Sequence, residues 1–509
     1  MARVRAVFSV SGNQILSLYE GLASADVRIV HTRHESAAAY AAAGWSEVSN
    51  DLGIALVAGG PGFLASLTGV AVTATMELPV LLLSGGPTST GDRPGAFQYL
   101  DQAAIASKVC KGTHKLARAE TIEEDLARAA DEAQTGIPGP VHVMIPADIA
   151  AKAANRIGVT LAGLTRREHT TPIAAGDANL LTQIGDQLAK ARRPVVIVRP
   201  SANRGRAGEA LRELATRLGI TPVVMESPRG SEDLKYRAET QRYADADYAL
   251  VIGPADFAVH FLSKSALASS GRVALIDAAG DPQVERELDV HVRADPERAL
   301  RAIVARLGDE RRARSADGAR DGAPSANGAL HPLHVGAILR ETLGPDDLVI
   351  LDGGEFCQWV RLALATIPNQ VVWNSRLGAI GGSLPLALGA AIAQPNRRIV
   401  AVVGDGAFGY HLAEMETAVR EGVELTIVVG NDDRWGAEWH TQREKYGRAV
   451  ATMLGKVRYD EVARGFGARG FDVASDAELR SALSQAREIA HVACLNTRIA
   501  SVRSPATAP

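Results

Sequence analysis

The stretch Arg398-Ile399-Val400-Ala401-Val402-Val403-Gly404-Asp405-Gly406-Ala407-Phe408, followed by Leu425-Thr426-Ile427-Val428-Val429-Gly430-Asn431-Asp432-Asp433, decides the fold. Each half opens with a continuous apolar run that stops near glycine, the pattern of a strand buried on both faces of a parallel sheet. Glu414 to Glu421 reads as the helix between them. Asp405 and the Asn431-Asp432 pair therefore stand at the carboxyl ends of two strands, the edge where open α/β sheets bind ligands. A glycine-flanked aspartate there, with a second oxygen donor on a loop 27 residues later, suits one hard cation bridging to a diphosphate.

Outward from this block the same rhythm recurs. Short apolar runs lie at Ile54–Ala58, Val80–Leu83, Val141–Ile145, Val195–Val198, Ala249–Ile252, Val273–Ile276 and Leu348–Leu351, with helix-like segments between many of them. This is a βαβ pattern and predicts doubly wound, mostly parallel sheets. Two breaks divide it. From about Ala151 to Gly176 the periodicity fades, and 308–329 carries no large apolar residue and reads as a flexible linker. Three α/β units are expected, at 1–165, 170–307 and 330–509.

Bulk properties bound the function. A net charge of −3 in 509 residues implies no nucleic-acid partner. Cys110, Cys357 and Cys494 are too few and too scattered for a disulfide framework or a zinc site. The basic start is followed by only five residues, Ala6–Val10, too short for a secretory segment, and no run has the length to span a bilayer. A cytoplasmic enzyme with no membrane partner is the expectation.

Other segments carry chemistry in the same order as a known family. Arg33-His34-Glu35 leads into an alanine-rich run to Gly44-Trp45; then come Gly60-Pro61-Gly62, Phe97-Gln98 and Pro138-Gly139-Pro140. In the last unit Asp352-Gly353-Gly354-Glu355-Phe356 and Leu377-Gly378-Ala379-Ile380-Gly381-Gly382 precede the metal-type block. Together these resemble thiamine-diphosphate enzymes of the acetolactate-synthase-like and 2-hydroxyacyl-CoA-lyase-like group. The resemblance implies a pyrimidine-binding domain, a central Rossmann-like domain and a diphosphate-binding domain.

It also implies residue roles. Glu35 matches the glutamate that activates the aminopyrimidine, while His34 and Gln98 fall near the reacting centre. Asp405, Asp432 and the carbonyl of Arg434 match the Mg2+ ligands, with Asp432 where the family usually has asparagine. Gly60, Gly354, Glu355, Phe356, Gly378, Gly404, Gly406, Ala407 and Trp435 match cofactor-contacting positions, and Ile380 matches the apolar wedge that bends the cofactor. In this family the two halves of the site come from different subunits, so a homodimer or homotetramer is implied.

The central unit lacks a Gly-x-Gly turn: Arg199-Pro200-Ser201 follows its first strand. Proline removes a backbone donor and side chains crowd the turn. With a short Val224–Ala244 region, this argues against FAD. Arg199, Arg204 and Arg206 read as surface arginines more readily than as ligands of a CoA phosphate. The resemblance favours 2-oxoacid decarboxylation with carboligation. The alternative is a C–C lyase on 2-hydroxyacyl thioesters, or an enzyme similar to oxalyl-CoA decarboxylase. A non-catalytic homologue acting as an assembly partner is a third class, set against the survival of Glu35 together with Asp405 and Asp432.

Overall fold

Three all-parallel sheets organise the chain in the computed structural model, which describes residues 6–164, 175–226, 245–253, 271–277, 288–307, 329–365, 367, 371–374 and 377–505. The 308–328 part of the expected linker, the 165–172 segment and residues 227–244 lie outside these. The first sheet holds β1 (Ala6–Ser9), β2 (Arg28–His31), β3 (Gly53–Val57), β4 (Val80–Gly86), β5 (Gly112–Lys115) and β6 (Pro140–Pro146), in the order β2-β1-β3-β4-β6-β5. The second holds β7 (Pro194–Val198), β8 (Val223–Val224), β9 (Tyr248–Ile252), β10 (Arg272–Asp277) and β11 (Val290–Arg293), ordered β11-β10-β9-β7-β8. The third holds β12 (Leu348–Leu351), β13 (Val371–Trp373), β14 (Ile399–Gly404), β15 (Leu425–Asn431), β16 (Arg469–Val473) and β17 (Val492–Arg498). Its order, β13-β12-β14-β15-β17-β16, repeats that of the first sheet strand for strand. The first and third sheets share one compact unit, and the second forms another.

One expectation is corrected. The sequence loses its periodicity from about Ala151, yet a helix runs from Ala147 to Gly163. Its buried face is Ile149, Ala150, Ala153, Ile157, Gly158 and Leu161, half of it alanine or glycine and interspersed with polar residues, so it does not stand out. Small residues are required there. A Cβ on Gly158 would sit 2.0 Å from the carbonyl oxygen of Gly21, and one on Gly21 would sit 2.1 Å from that of Ala154.

The packing that positions the site is a pair of helices, Glu35–Ser49 from the first domain and Ser383–Ala393 from the third. Residues 36–46 of one and 383–392 of the other are all buried, as expected of helices apolar around most of their circumference. Glycines let their backbones touch. A Cβ on Gly44 would lie 1.9 Å from the Leu386 carbonyl oxygen, and one on Gly389 would lie 1.9 Å from that of Ala41. A third helix, Pro61–Met76, closes the other side, with Gly69 against the carbonyl of Ser36.

Replacing Gly389 by valine forces backbones apart in a filled core. We expect a loss of at least about 3 kcal/mol, or failure to fold, in urea denaturation. The control Gly465→Ala, whose Cβ meets nothing within 4 Å, should be close to neutral. Equal effects of the two would remove the helix contact from its structural role.

Candidate active site at the strand ends

In the third domain, β14 ends at Gly404 and the chain turns through a one-turn helix, Asp405–Phe408. The Asp405 carboxylate is buried and accepts the backbone N–H of Arg434 at 3.2 Å. The Tyr459 hydroxyl donates to the Asp405 carbonyl at 3.2 Å. On the neighbouring loop, Asn431 donates to Asn496 at 2.9 Å and to the Val457 carbonyl at 3.0 Å, fixing the end of β15. Asp432 follows, with its side chain 11% exposed. The Arg434 guanidinium donates to the Asp432 carbonyl at 2.8 Å and lies 3.7 Å from its carboxylate.

Both carboxyls are pushed toward their protonated forms. Burial, and then the charge of Asp432, pushes the Asp405 carboxyl up to about 7. Burial also raises Asp432, against a hydrogen bond from Ser501 and the charge of Arg434. Among the described residues no three His, Cys, Asp or Glu side chains cluster as a ready-made cation cage. The donors assembled here are two carboxylates with a backbone loop, all hard oxygen, which fits one hard divalent cation. The glycines fit a diphosphate approaching along the backbone: a Cβ on Gly404 or Gly354 would meet nothing within 4 Å.

Gly354 caps the helix Glu355–Ala363 with φ +93, a conformation glycine tolerates, and turns the first-turn N–H groups toward the strand ends. Glu355 is buried and accepts the backbone N–H of Ser504, so residues 501–504 lie against this helix. Phe356 points the other way, into the core beneath Gly430. Trp435 covers Gly406, where a Cβ would sit 2.7 Å from the indole, with Tyr410 edge-on to it at 6.4 Å. Ala407 is buried beside them.

The Gly378–Gly382 loop lies alongside. Gly378 has φ +74, and Ile380 packs over Gly353, where a Cβ would be 2.8 Å from Cγ2. Asp352 anchors this loop. Fully buried, it accepts N–H groups from Gly353 at 2.7 Å, Gly381 at 2.8 Å and Ser383 at 2.8 Å. Burial still raises its pKa. Its signal in the sequence is an aspartate at the end of an apolar strand, just before the glycines.

In the first domain, Glu35 is the first residue of its helix and His34 the N-cap, accepting the Ser36 N–H. Glu35 Oε1 lies 3.4 Å from where a Cβ on Gly62 would be. Gly60 caps the next helix at φ +58, and the Gln98 carbonyl oxygen is 2.7 Å from where its Cβ would stand. Gln98 itself has φ +57, uncommon outside glycine. The fold thus gathers Glu35, Gly60, Gly62 and Gln98 along one edge of the first domain. His114 pairs with Glu132 at 2.6 Å, Glu438 is exposed, and the Trp439 ring meets the guanidiniums of Arg434 and Arg443. In the central domain, Arg199 is buried and Arg206 pairs with Glu297 at 2.9 Å.

Residues 352–497 match the description "Thiamine pyrophosphate enzyme, C-terminal TPP binding domain", and residues 1–105 match the corresponding N-terminal TPP binding domain. The acetolactate synthase large subunit of Mycobacterium tuberculosis (strain ATCC 25618 / H37Rv) is 30% identical over 503 residues, covering 95% of this chain and 91% of that protein. The chain belongs to the thiamine pyrophosphate enzyme family. Two further family members bracket it: the catabolic acetolactate synthase of Raoultella terrigena, 26% identical over 96% of this chain and 90% of its own length, and human 2-hydroxyacyl-CoA lyase 2, 26% identical over 92% and 82%. Two TPP-binding domains with the same strand order, packed through a central helix pair, are the architecture this thiamine pyrophosphate enzyme builds on.

Contacts between those two domains were only partly visible in the sequence. Glu414 is buried; it accepts the Arg33 N–H at 3.0 Å and the Thr417 hydroxyl at 2.7 Å. Burial pushes its carboxyl up to about 7. The folded state therefore holds this proton more tightly than the unfolded chain. Its contribution is full at acid pH and is lost as pH rises through the 4.5–7 window. For Glu414→Gln we expect the fall in thermal stability across that window to flatten by up to about 3 kcal/mol, with ligand and cation conditions held fixed. An unchanged pH slope would contradict the assignment.

Proposed function

We propose that this chain is a thiamine-diphosphate- and Mg2+-dependent enzyme that decarboxylates a 2-oxo acid and joins the retained acyl unit to a carbonyl acceptor. The observation that carries the reading is the presence of both halves of the machinery in one family member. Glu35 stands on a helix N-terminus beside Gly62, and Asp405, Asp432 and Arg434 stand at the ends of β14 and β15. When bound, thiamine diphosphate supplies the nucleophilic carbon and the electron sink needed to break a bond next to a carbonyl.

The chain's own residues have distinct tasks in this reading. Asp405, Asp432 and the Arg434 carbonyl hold the cation, and the backbone at Gly354, Gly404, Gly406 and Ala407 receives the diphosphate. Glu355 and Phe356 hold the helix that offers those N–H groups: one takes the Ser504 N–H, the other anchors in the core. Ile380 is the apolar buttress, and the Gly378 carbonyl accepts from the aminopyrimidine. Trp435 screens the cation loop from water. Glu35 holds a proton at the pyrimidine ring nitrogen, with Gly60 shaping its pocket. Gln98 and His34 orient the small-molecule substrate.

Each complete site takes Glu35 from one subunit and the cation loop from another, in a homodimer or homotetramer. Three scattered free cysteines support a cytoplasmic setting. Among the described residues no helix is long and apolar enough to cross a membrane. The second reading, C–C cleavage of a 2-hydroxyacyl thioester, is supported by the likeness to the lyase along 92% of the chain.

Carbon dioxide release from pyruvate and other 2-oxo acids, measured beside aldehyde release from a 2-hydroxyacyl-CoA, separates the two. Thioester cleavage without any CO2 would overturn the first. Glu35→Gln should slow cofactor C2 proton exchange by about 100-fold or more while cofactor affinity changes little. Exchange at the parental rate would remove Glu35 from its role. Asp432→Asn deletes one charge from the cation site and should weaken Mg2+ binding by about tenfold in calorimetry with the cofactor present. Unchanged or tighter binding would show that the charge at 432 adds nothing to cation affinity, and unchanged binding in Asp432→Ala would take the residue out of the donor set.

A further inference from the structure

One histidine that no motif singles out lies between the two halves of the machinery. Gly381, next to Ile380, is gripped on both sides of its peptide unit. Its N–H donates to Asp352 at 2.8 Å, and its carbonyl accepts from His411 Nδ1 at 2.7 Å. A carbonyl can only accept, so Nδ1 carries the proton. Burial lowers the His411 pKa to about 4, so the ring is neutral near pH 7 and Nε2 is an acceptor. Ser36 Oγ, 2.7 Å from Nε2, is then the donor there, and it also lies 2.8 Å from His34 Nδ1.

Ser36 is the second residue of the helix that Glu35 begins, and its N–H donates to His34 Nδ1 at 3.1 Å. The rings of His34 and Tyr40 each meet the His411 ring edge-on at 5.7 Å. Tyr40 also fills the space beside Gly382, where a Cβ would come within 2.6 Å of its ring. Both nitrogens of a buried neutral imidazole need partners. This one spends both nitrogens, on the backbone flanking Ile380 and on the first turn carrying Glu35.

We propose that His411 is a positioning residue. Through the Gly381 carbonyl and the Ser36 hydroxyl it holds Ile380 and Glu35 in fixed relation within one chain. The inference rests on the thiamine reading above. When each site is shared between subunits, the bridge joins a buttress that serves one cofactor to a carboxylate that serves another. Loosening it displaces both groups, and displacements near 1 Å cost on the order of 100-fold in rate.

The test uses the full chain with thiamine diphosphate and Mg2+. It reads C2 proton exchange of the bound cofactor by quench NMR, and cofactor affinity by calorimetry. His411→Phe keeps a ring and removes both hydrogen bonds. It should slow exchange by about 100-fold while affinity falls less than about tenfold. His411→Asn places an amide N–H where Nδ1–H stood and should recover most of that loss. Ser36→Ala, which leaves the Gly381 link intact, should slow exchange by about tenfold. Parental exchange rates in both His411→Phe and Ser36→Ala would overturn the proposal, as would a drop in thermal stability with exchange unchanged. If His411→Phe does not fold, Ser36→Ala decides alone. Failure of the parent to bind thiamine diphosphate would instead overturn the functional reading itself.

Discussion

The close approach of two backbones, in the helices Glu35–Ser49 and Ser383–Ala393, is the constraint on which the cofactor domains depend. Each helix is buried almost all round, so neither is stable as a surface element. Glycine at 44 and 389 lets carbonyls come where a Cβ would stand. The N-termini of these two helices carry Glu35 and, just before Ser383, the loop with Ile380. Packing that joins two domains therefore also fixes the two groups that the proposed chemistry needs near one another's cofactors.

Around this contact the electrostatics point one way. Buried carboxylates line the third domain, and each has a distinct resolution. Asp352 is answered by three backbone N–H groups and serves as a clamp. Glu414 is answered by Arg33, Thr417 and retention of its proton toward neutral pH. Asp405 and Asp432 are both raised by burial, and the charge of Asp432 raises Asp405 further. The difference lies in the donors each strand end offers, not in the residue type.

Much of this was legible in the sequence for a physical reason. Interior parallel strands are covered on both faces, so β3, β4, β6, β7, β9, β10, β12, β14 and β15 announce themselves as apolar runs. The edge strands do not: β2 reads Arg-Ile-Val-His, β5 Gly-Thr-His-Lys and β16 Arg-Gly-Phe-Asp-Val, because one side of each meets solvent. Of the candidate site, Asp405 and Asp432 stand in glycine-flanked strand-end motifs and Glu35 in the Arg-His-Glu segment, so the sequence itself offers them as candidates. Residues whose role comes from a distant partner are not legible in this way. Ser36 and His411 stand 375 positions apart and mean nothing until the helix pair brings them to 2.7 Å. Phe356 shows the converse: it sits inside a motif, yet its side chain turns into the core.

The central claim is that β14 and β15 present Asp405, Asp432 and the Arg434 carbonyl to one cation bridging to thiamine diphosphate. The most direct measurement is a crystal structure grown with the cofactor and Mn2+, located by the metal's anomalous scattering. One strong peak is expected at the ends of these strands, about 2–2.5 Å from both carboxylates and that carbonyl. A bound cofactor with no metal peak there, or a peak held by neither aspartate, would contradict it.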